Sequence, residues 1–185
     1  MHAHPIDLWR KAASGFIIIF TGNGKGKTTA AFGLALRAAG QGLKVLIIQF
    51  MKGQENIGEI NALMKFRLPI KIKRFGRAGF VQSRTCEPLD LCIAEQGLDF
   101  FRNALALSEY DLIILDEILV AIDFGLIKEA ALSEILLGRP SQLHVVLTGR
   151  NAPKHIVDMA DLVTDMKELK HPYNVGIKAQ VGIEY

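Results

Sequence analysis

Phe16-Ile-Ile-Ile-Phe-Thr-Gly-Asn-Gly-Lys-Gly-Lys-Thr-Thr29 decides the fold: an apolar strand enters a glycine-rich turn, and the turn opens a helix on Lys-Thr-Thr. Glycines let successive backbone amides face a phosphate, and the exposed N–H groups and dipole of the new helix add positive potential at the same spot. Lys27 brings a mobile point charge, and the Thr28 hydroxyl is placed to ligate Mg²⁺. Gly22, Asn23, Gly24, Lys25, Gly26, Lys27, Thr28 and Thr29 thus read as a triphosphate cradle. The usual pattern has a glycine five residues before the Gly26-Lys27 pair; Thr21 stands there, followed by Gly22, so the loop is a variant.

Outward from this loop, short runs rich in Ile, Val and Leu recur at 16–20, 45–50, 70–75, 112–115, 143–147 and 162–163, separated mostly by stretches of helical length. That alternation predicts a parallel sheet covered on both faces. Residues 28–39, rich in Ala and Leu, stop at Gly40 and Gly42 as a helix does. Residues 87–108 are the clearest helix, with Pro88 in the first turn and Leu91, Ala94, Leu98, Phe101 and Leu105 spaced to form one core-facing stripe. Residues 132–137 end at Gly138 with Pro140 beyond, another helix stop. The expected fold is α/β and P-loop NTPase-like (RecA-like), a mostly parallel sheet with helices on both faces. With 185 residues, half of them apolar, the chain suits one domain over 15–185 behind a short arm over 1–14.

Tyr110-Asp-Leu-Ile-Ile-Leu-Asp-Glu117 sets two carboxylates at the carboxyl end of a buried strand, the edge at which open α/β sheets bind ligands. Asp116 and Glu117 are the expected Mg²⁺ partners with Thr28, directly or through water. In an ATPase the same Glu117 would orient an attacking water, so these two motifs do not by themselves name the reaction.

Composition excludes other classes. The apolar runs break long before the ~18 residues of a membrane helix. The start of the chain lacks the basic and apolar blocks of a signal peptide, which leads us to expect a reducing cytoplasm with Cys86 and Cys92 as free thiols and no zinc site. A net charge of +3 suits an anionic ligand and falls short of a dedicated nucleic-acid binder. The basic cluster of Lys65, Arg67, Lys71, Lys73, Arg74, Arg77 and Arg84 alternates with apolar residues around Ile70 and Ile72, as a strand with a solvated face requires. His144, His155 and His171 read as structural.

The chain resembles the ATP:corrinoid adenosyltransferase family from about Gly15 to Tyr185. The marks are residues 21–33, Gln49-Phe-Met-Lys-Gly53, Leu115-Asp-Glu117, Arg139-Pro140, Leu147-Thr-Gly-Arg150, and the final Lys170-His-Pro-Tyr-Asn-Val-Gly-Ile-Lys-Ala-Gln-Val-Gly-Ile-Glu-Tyr185. The family carries the same variant at Thr21. The resemblance implies transfer of the 5′-deoxyadenosyl group of ATP to the Co(I) centre of a reduced corrinoid, with release of inorganic triphosphate. It implies catalytic roles for Lys27, Thr28 and Glu117, contact of Arg150 with phosphate, and a corrinoid seated against Phe80 and Gln82, the latter standing where many members carry Trp. It further implies a homodimer, and a flavin protein as electron donor. Two rivals stay open: a P-loop ATPase or kinase, and a RecA-like nucleic-acid binder.

Overall fold

In the computed structural model, which describes residues 14–53, 58–66, 68–77 and 87–184, each apolar run becomes a strand of one sheet. The elements are β1 (Ile17–Thr21), α1 (Lys27–Gly40), β2 (Val45–Phe50), α2 (Gly58–Phe66), β3 (Ile70–Phe75), α3 (Pro88–Leu107), β4 (Leu112–Asp116), α4 (Ile118–Asp123), α5 (Glu129–Leu137), β5 (His144–Thr148), α6 (Lys154–Asp158) and β6 (Leu162–Asp165). The strand order is β3-β2-β4-β5-β1-β6, and every pair is parallel.

The period-2 alternation of strand side chains builds two cores. On one face, Val45, Ile47, Leu112, Ile114 and Val146 pack against Ala31, Phe32, Ala35 and Ala38 of α1. On the other, Ile17, Leu46, Ile48, Ile113, Leu115 and Val145 meet Leu98, Phe101 and Leu105 of α3 together with residues of α4, α5 and α6. Strands β2 and β4 are buried throughout, which is why they read as apolar runs broken only by Gln49 and by the terminal Asp116. The two edges differ from that expectation. Strand β3 alternates between half-buried and exposed positions, and β6 exposes all four residues, because an edge strand has a neighbour on one side only.

Helix α3 departs from the expected stripe at its start. Ala94, Leu98, Phe101 and Leu105 are buried, but Leu91 is 37% exposed, and Asp90 turns inward in its place. Arg77, just past β3, causes this: its guanidinium donates to both Asp90 oxygens at 2.7 and 2.6 Å and to Glu87 at 2.7 Å. A bidentate ion pair therefore occupies the turn that Leu91 was expected to bury.

The carboxyl ends of β1, β2, β4 and β5 share one feature. The first residue beyond each strand has a left-handed backbone: Gly22 (φ 95°), Met51 (φ 58°), Glu117 (φ 62°) and Gly149 (φ 141°). For Met51 and Glu117 that conformation carries a strain cost, and backbone strain of this kind concentrates at functional sites. No helix among the described residues is long and apolar enough to cross a membrane.

Candidate active site

The phosphate loop leaves β1 and folds against the end of β6. The Gly24 amide donates to the Met166 carbonyl at 2.7 Å, and a Cβ on Gly24 would lie 2.7 Å from that oxygen, so only glycine fits. Helix α1 then starts with Gly26 (φ 117°) at its N-cap, with no capping side chain and no acidic residue in its first turn. Its first amides and dipole therefore face outward as an anion site. Lys27 differs from the mobile charge expected: it is 8% exposed, and its ammonium bonds the Gly24 carbonyl at 2.6 Å. Burial lowers its pKa, Arg150 and Lys52 push the same way, and Glu117 and Asp116 work against them.

Asp116 ends β4 at 0% exposure with both oxygens engaged. Oδ1 accepts from Thr28 Oγ1 at 2.9 Å and Thr148 Oγ1 at 2.7 Å; Oδ2 accepts from Gln49 Nε2 at 3.0 Å and Lys52 Nζ at 2.8 Å. Burial opposes its ionisation, but the Lys52 charge and the bonds from Lys52, Thr148 and Gln49 outweigh burial and hold its pKa below the ordinary value. Glu117 behaves in the opposite way. Burial and the neighbouring Asp116 raise its pKa despite Lys52, Lys27 and Arg150. Its amide donates to Thr148 Oγ1 at 2.9 Å, which ties the strained residue to β5. Lys52 lies 3.0 Å from Thr28 Oγ1 and 3.7 Å from Glu117 Oε1, and these carboxylates raise its pKa against the opposing effect of burial.

These groups open onto a cavity of about 1250 Å³. Of the residues singled out in the sequence, Asn23, Gly24, Lys25, Gly26, Lys27, Thr28, Thr29, Glu117 and Arg150 line it. Gly22 and Asp116 do not: Gly22 turns the chain out of β1, and Asp116 stands behind Thr28 and Lys52. Phe80 and Gln82 lie outside the described residues, as do Cys86, Arg67, Arg84 and residues 1–13 of the arm; Cys92 is an exposed free thiol. Of the basic cluster, Arg77 is committed to Asp90 and Glu87, and Lys71 sits over the Tyr110 ring at 5.6 Å and 3.9 Å from Glu109. His144 accepts from the Phe16 amide at 3.0 Å, whereas His171 lines the cavity.

Sequence reasoning quoted Gln49, Lys52 and Thr148 as marks of a resemblance without giving them roles. One signal could have found Gln49: a lone amide in the otherwise apolar, wholly buried β2. A second omission is the C-terminal wall of the cavity, formed by Glu168, His171, Tyr173, Asn174, Ile183 and Glu184, with Glu184 bridged to Lys25 at 2.9 Å.

A model of the family described as ATP:corrinoid adenosyltransferase BtuR/CobO/CobP matches residues 13–185. The chain belongs to that family. Corrinoid adenosyltransferase from Escherichia coli K12 is 39% identical to it over 173 residues, which is 92% of this chain and 86% of the relative. Corrinoid adenosyltransferase CobA of Salmonella typhimurium is 37% identical over 173 residues, 92% of this chain and 86% of the relative. The corrinoid adenosyltransferase of Pseudomonas aeruginosa is 35% identical over 171 residues, 92% and 84%. Among solved structures, a KaiC-like protein from Pyrococcus horikoshii superposes with a TM-score of 0.51 at 18% identity, covering 82% of this chain and 73% of that one. That likeness shows the α/β P-loop fold in this adenosyltransferase family member.

Proposed function

We propose that this chain transfers the 5′-deoxyadenosyl group of ATP to the Co(I) centre of a reduced corrinoid. The observation that carries the reading is a phosphate loop and Glu117 opening onto one cavity, with Asp116 bonded to Thr28 behind them, in a chain matched along residues 13–185 by this family. The cobalt electron pair attacks C5′ of ATP, the C5′–O5′ bond breaks, and triphosphate departs with that bonding pair. Such a nucleophile needs no deprotonation, so catalysis reduces to positioning and to stabilising the leaving group. The loop over 22–29, through its amides other than that of Gly24, and Lys27 would hold the triphosphate, and Arg150 would reach a phosphate in the same cavity.

The donor set fits Mg²⁺. No group of three or more His, Cys, Asp or Glu among the described residues could hold a metal by itself, in keeping with an ion bound through one or two side chains and the phosphates. Thr28 and Glu117 would hold it directly and Asp116 through water, while the buried, unpartnered Oε1 of Gln49 would accept from a hydrating water. When bound, Mg²⁺ would neutralise charge on the departing triphosphate.

By resemblance, Phe80 and Gln82 are proposed to meet the corrinoid. We read residues 15–185 as one domain, acting in the cytoplasm as a homodimer beside a flavin protein donor; exposed Leu169, Tyr173, Val175 and Val181 in the tail support a partner surface. Incubating the protein with ATP, Mg²⁺ and chemically reduced cobalamin tests the central reading. The expected outcome is a light-labile adenosyl product with one triphosphate released per product. Brisk release of ADP and phosphate without corrinoid would instead establish the ATPase or kinase rival.

A further inference from the structure

The Lys52 ammonium lies 2.8 Å from Asp116 Oδ2, 3.0 Å from Thr28 Oγ1 and 3.7 Å from Glu117 Oε1. These are the three side chains through which a divalent cation would be held. A partly buried pocket of this size cannot hold an ammonium and a divalent ion against the same oxygens, because their repulsion is poorly screened there. The Lys52 backbone stays close to the end of β2, because it follows Met51, whose amide donates to the Phe75 carbonyl at 2.8 Å. Its four-carbon stem is free to swing, and it lines the same cavity as the phosphate loop.

Gln49, within β2, supplies a second and independent observation. Its Nε2 donates to Asp116 Oδ2 at 3.0 Å, which fixes the orientation of the amide because the oxygen would be repelled by the carboxylate. Its Oε1 is then buried without a partner, in a residue that lines the cavity. An acceptor left in this way has no use for the lysine's neighbours and is suited to a water carried by a cation.

We propose that Lys52 is a resident counter-ion of the Asp116–Glu117 pair, and that a triphosphate draws its ammonium onto a phosphate oxygen, so that a divalent cation enters with the nucleotide and not before it. Lys52 is then a positioning residue that exchanges one anionic partner for another. The inference rests on the preceding reading only in that a divalent cation accompanies a triphosphate at this site.

The test is a titration of the full chain with Mn²⁺ alone, protein-bound Mn²⁺ being the metal retained with the chain on ultrafiltration, in wild type, Lys52→Gln and Lys52→Met; the same readout serves with tripolyphosphate, whose own Mn²⁺ complex passes the filter. Both variants should take up Mn²⁺ at least about tenfold more tightly than wild type, since a repelling charge has gone. Adding inorganic tripolyphosphate should raise Mn²⁺ affinity far more in wild type than in either variant. Lys52→Gln keeps a donor for Asp116 and so serves where Lys52→Met does not fold. Equal Mn²⁺ affinity in wild type and Lys52→Gln would overturn the proposal, and so would wild-type binding of Mn²⁺ that tripolyphosphate does not improve. Failure to adenosylate cobalamin would remove the corrinoid reading and leave this result standing.

Discussion

Thr148 occupies the gap that β5 opens between the phosphate loop and Asp116. Its hydroxyl accepts from the Glu117 amide at 2.9 Å and donates to Asp116 Oδ1 at 2.7 Å, so one oxygen serves a strained backbone and a buried charge together. Thr148→Val keeps the shape and removes both bonds. The orphaned amide and the loss of a bond to a charged group should cost about 1–3 kcal/mol, read from the urea midpoint, and ATP affinity should fall with it. A midpoint within error of wild type would show that the hydroxyl is dispensable. This residue also marks the limit of what a sequence discloses about the site. Lys27, Thr28, Asp116 and Glu117 are legible because glycine spacing and a carboxylate pair after an apolar run have few other uses. Thr148, Gln49 and Lys52 meet Asp116 only through pairings of strands far apart in sequence, which no local pattern encodes.

At the scale of elements, α3 shows how periodicity and packing compete. All six strands are legible from apolar runs, and α3 from its stripe. Its first turn is not, because Arg77 reaches it from another element and turns Asp90 inward. Midway along the helix, Gly97 sits under the aromatic pair of Phe50 and Phe75, whose centroids are 6.4 Å apart. A Cβ there would lie 2.6 Å from Phe50 Cε1 and 3.1 Å from Phe75 Cγ. Alanine gains about 1 kcal/mol of helix propensity over glycine, whereas overpacking a core costs about 1–3 kcal/mol. Phe50 is fully buried and cannot yield, so Gly97→Ala should lower the melting temperature. A rise would mean that the rings shift freely.

For the molecule as a whole, the amino-terminal edge of the sheet sets a pH response remote from the site. His144 Nδ1 accepts from the Phe16 amide at 3.0 Å. Burial lowers its pKa, Arg139 adds to that, and Asp111 opposes it. At pH above about 6.5 both folded and unfolded chains carry the ring neutral, and it adds no pH dependence. Below that value the unfolded chain takes up the proton first, so acidification costs stability. The urea midpoint should fall between about pH 7.5 and about pH 5.5, and less steeply in His144→Gln, which keeps an acceptor but does not titrate. Identical slopes would assign the response to other groups.

The strand order sets the timetable by which the protein comes into being. Strand β1 is made early, yet its neighbours are β5 and β6, and the bonds that fix it span 128 and 144 residues. Long-range parallel pairing is slow, since the loop must close before any contact repays it. On the ribosome, the apolar strand over 17–21 therefore waits unpaired while the rest of the sheet is synthesised, a natural client for a chaperone. The phosphate loop it carries stays unformed until β6 arrives, so nucleotide can stabilise the finished protein but cannot guide its early folding.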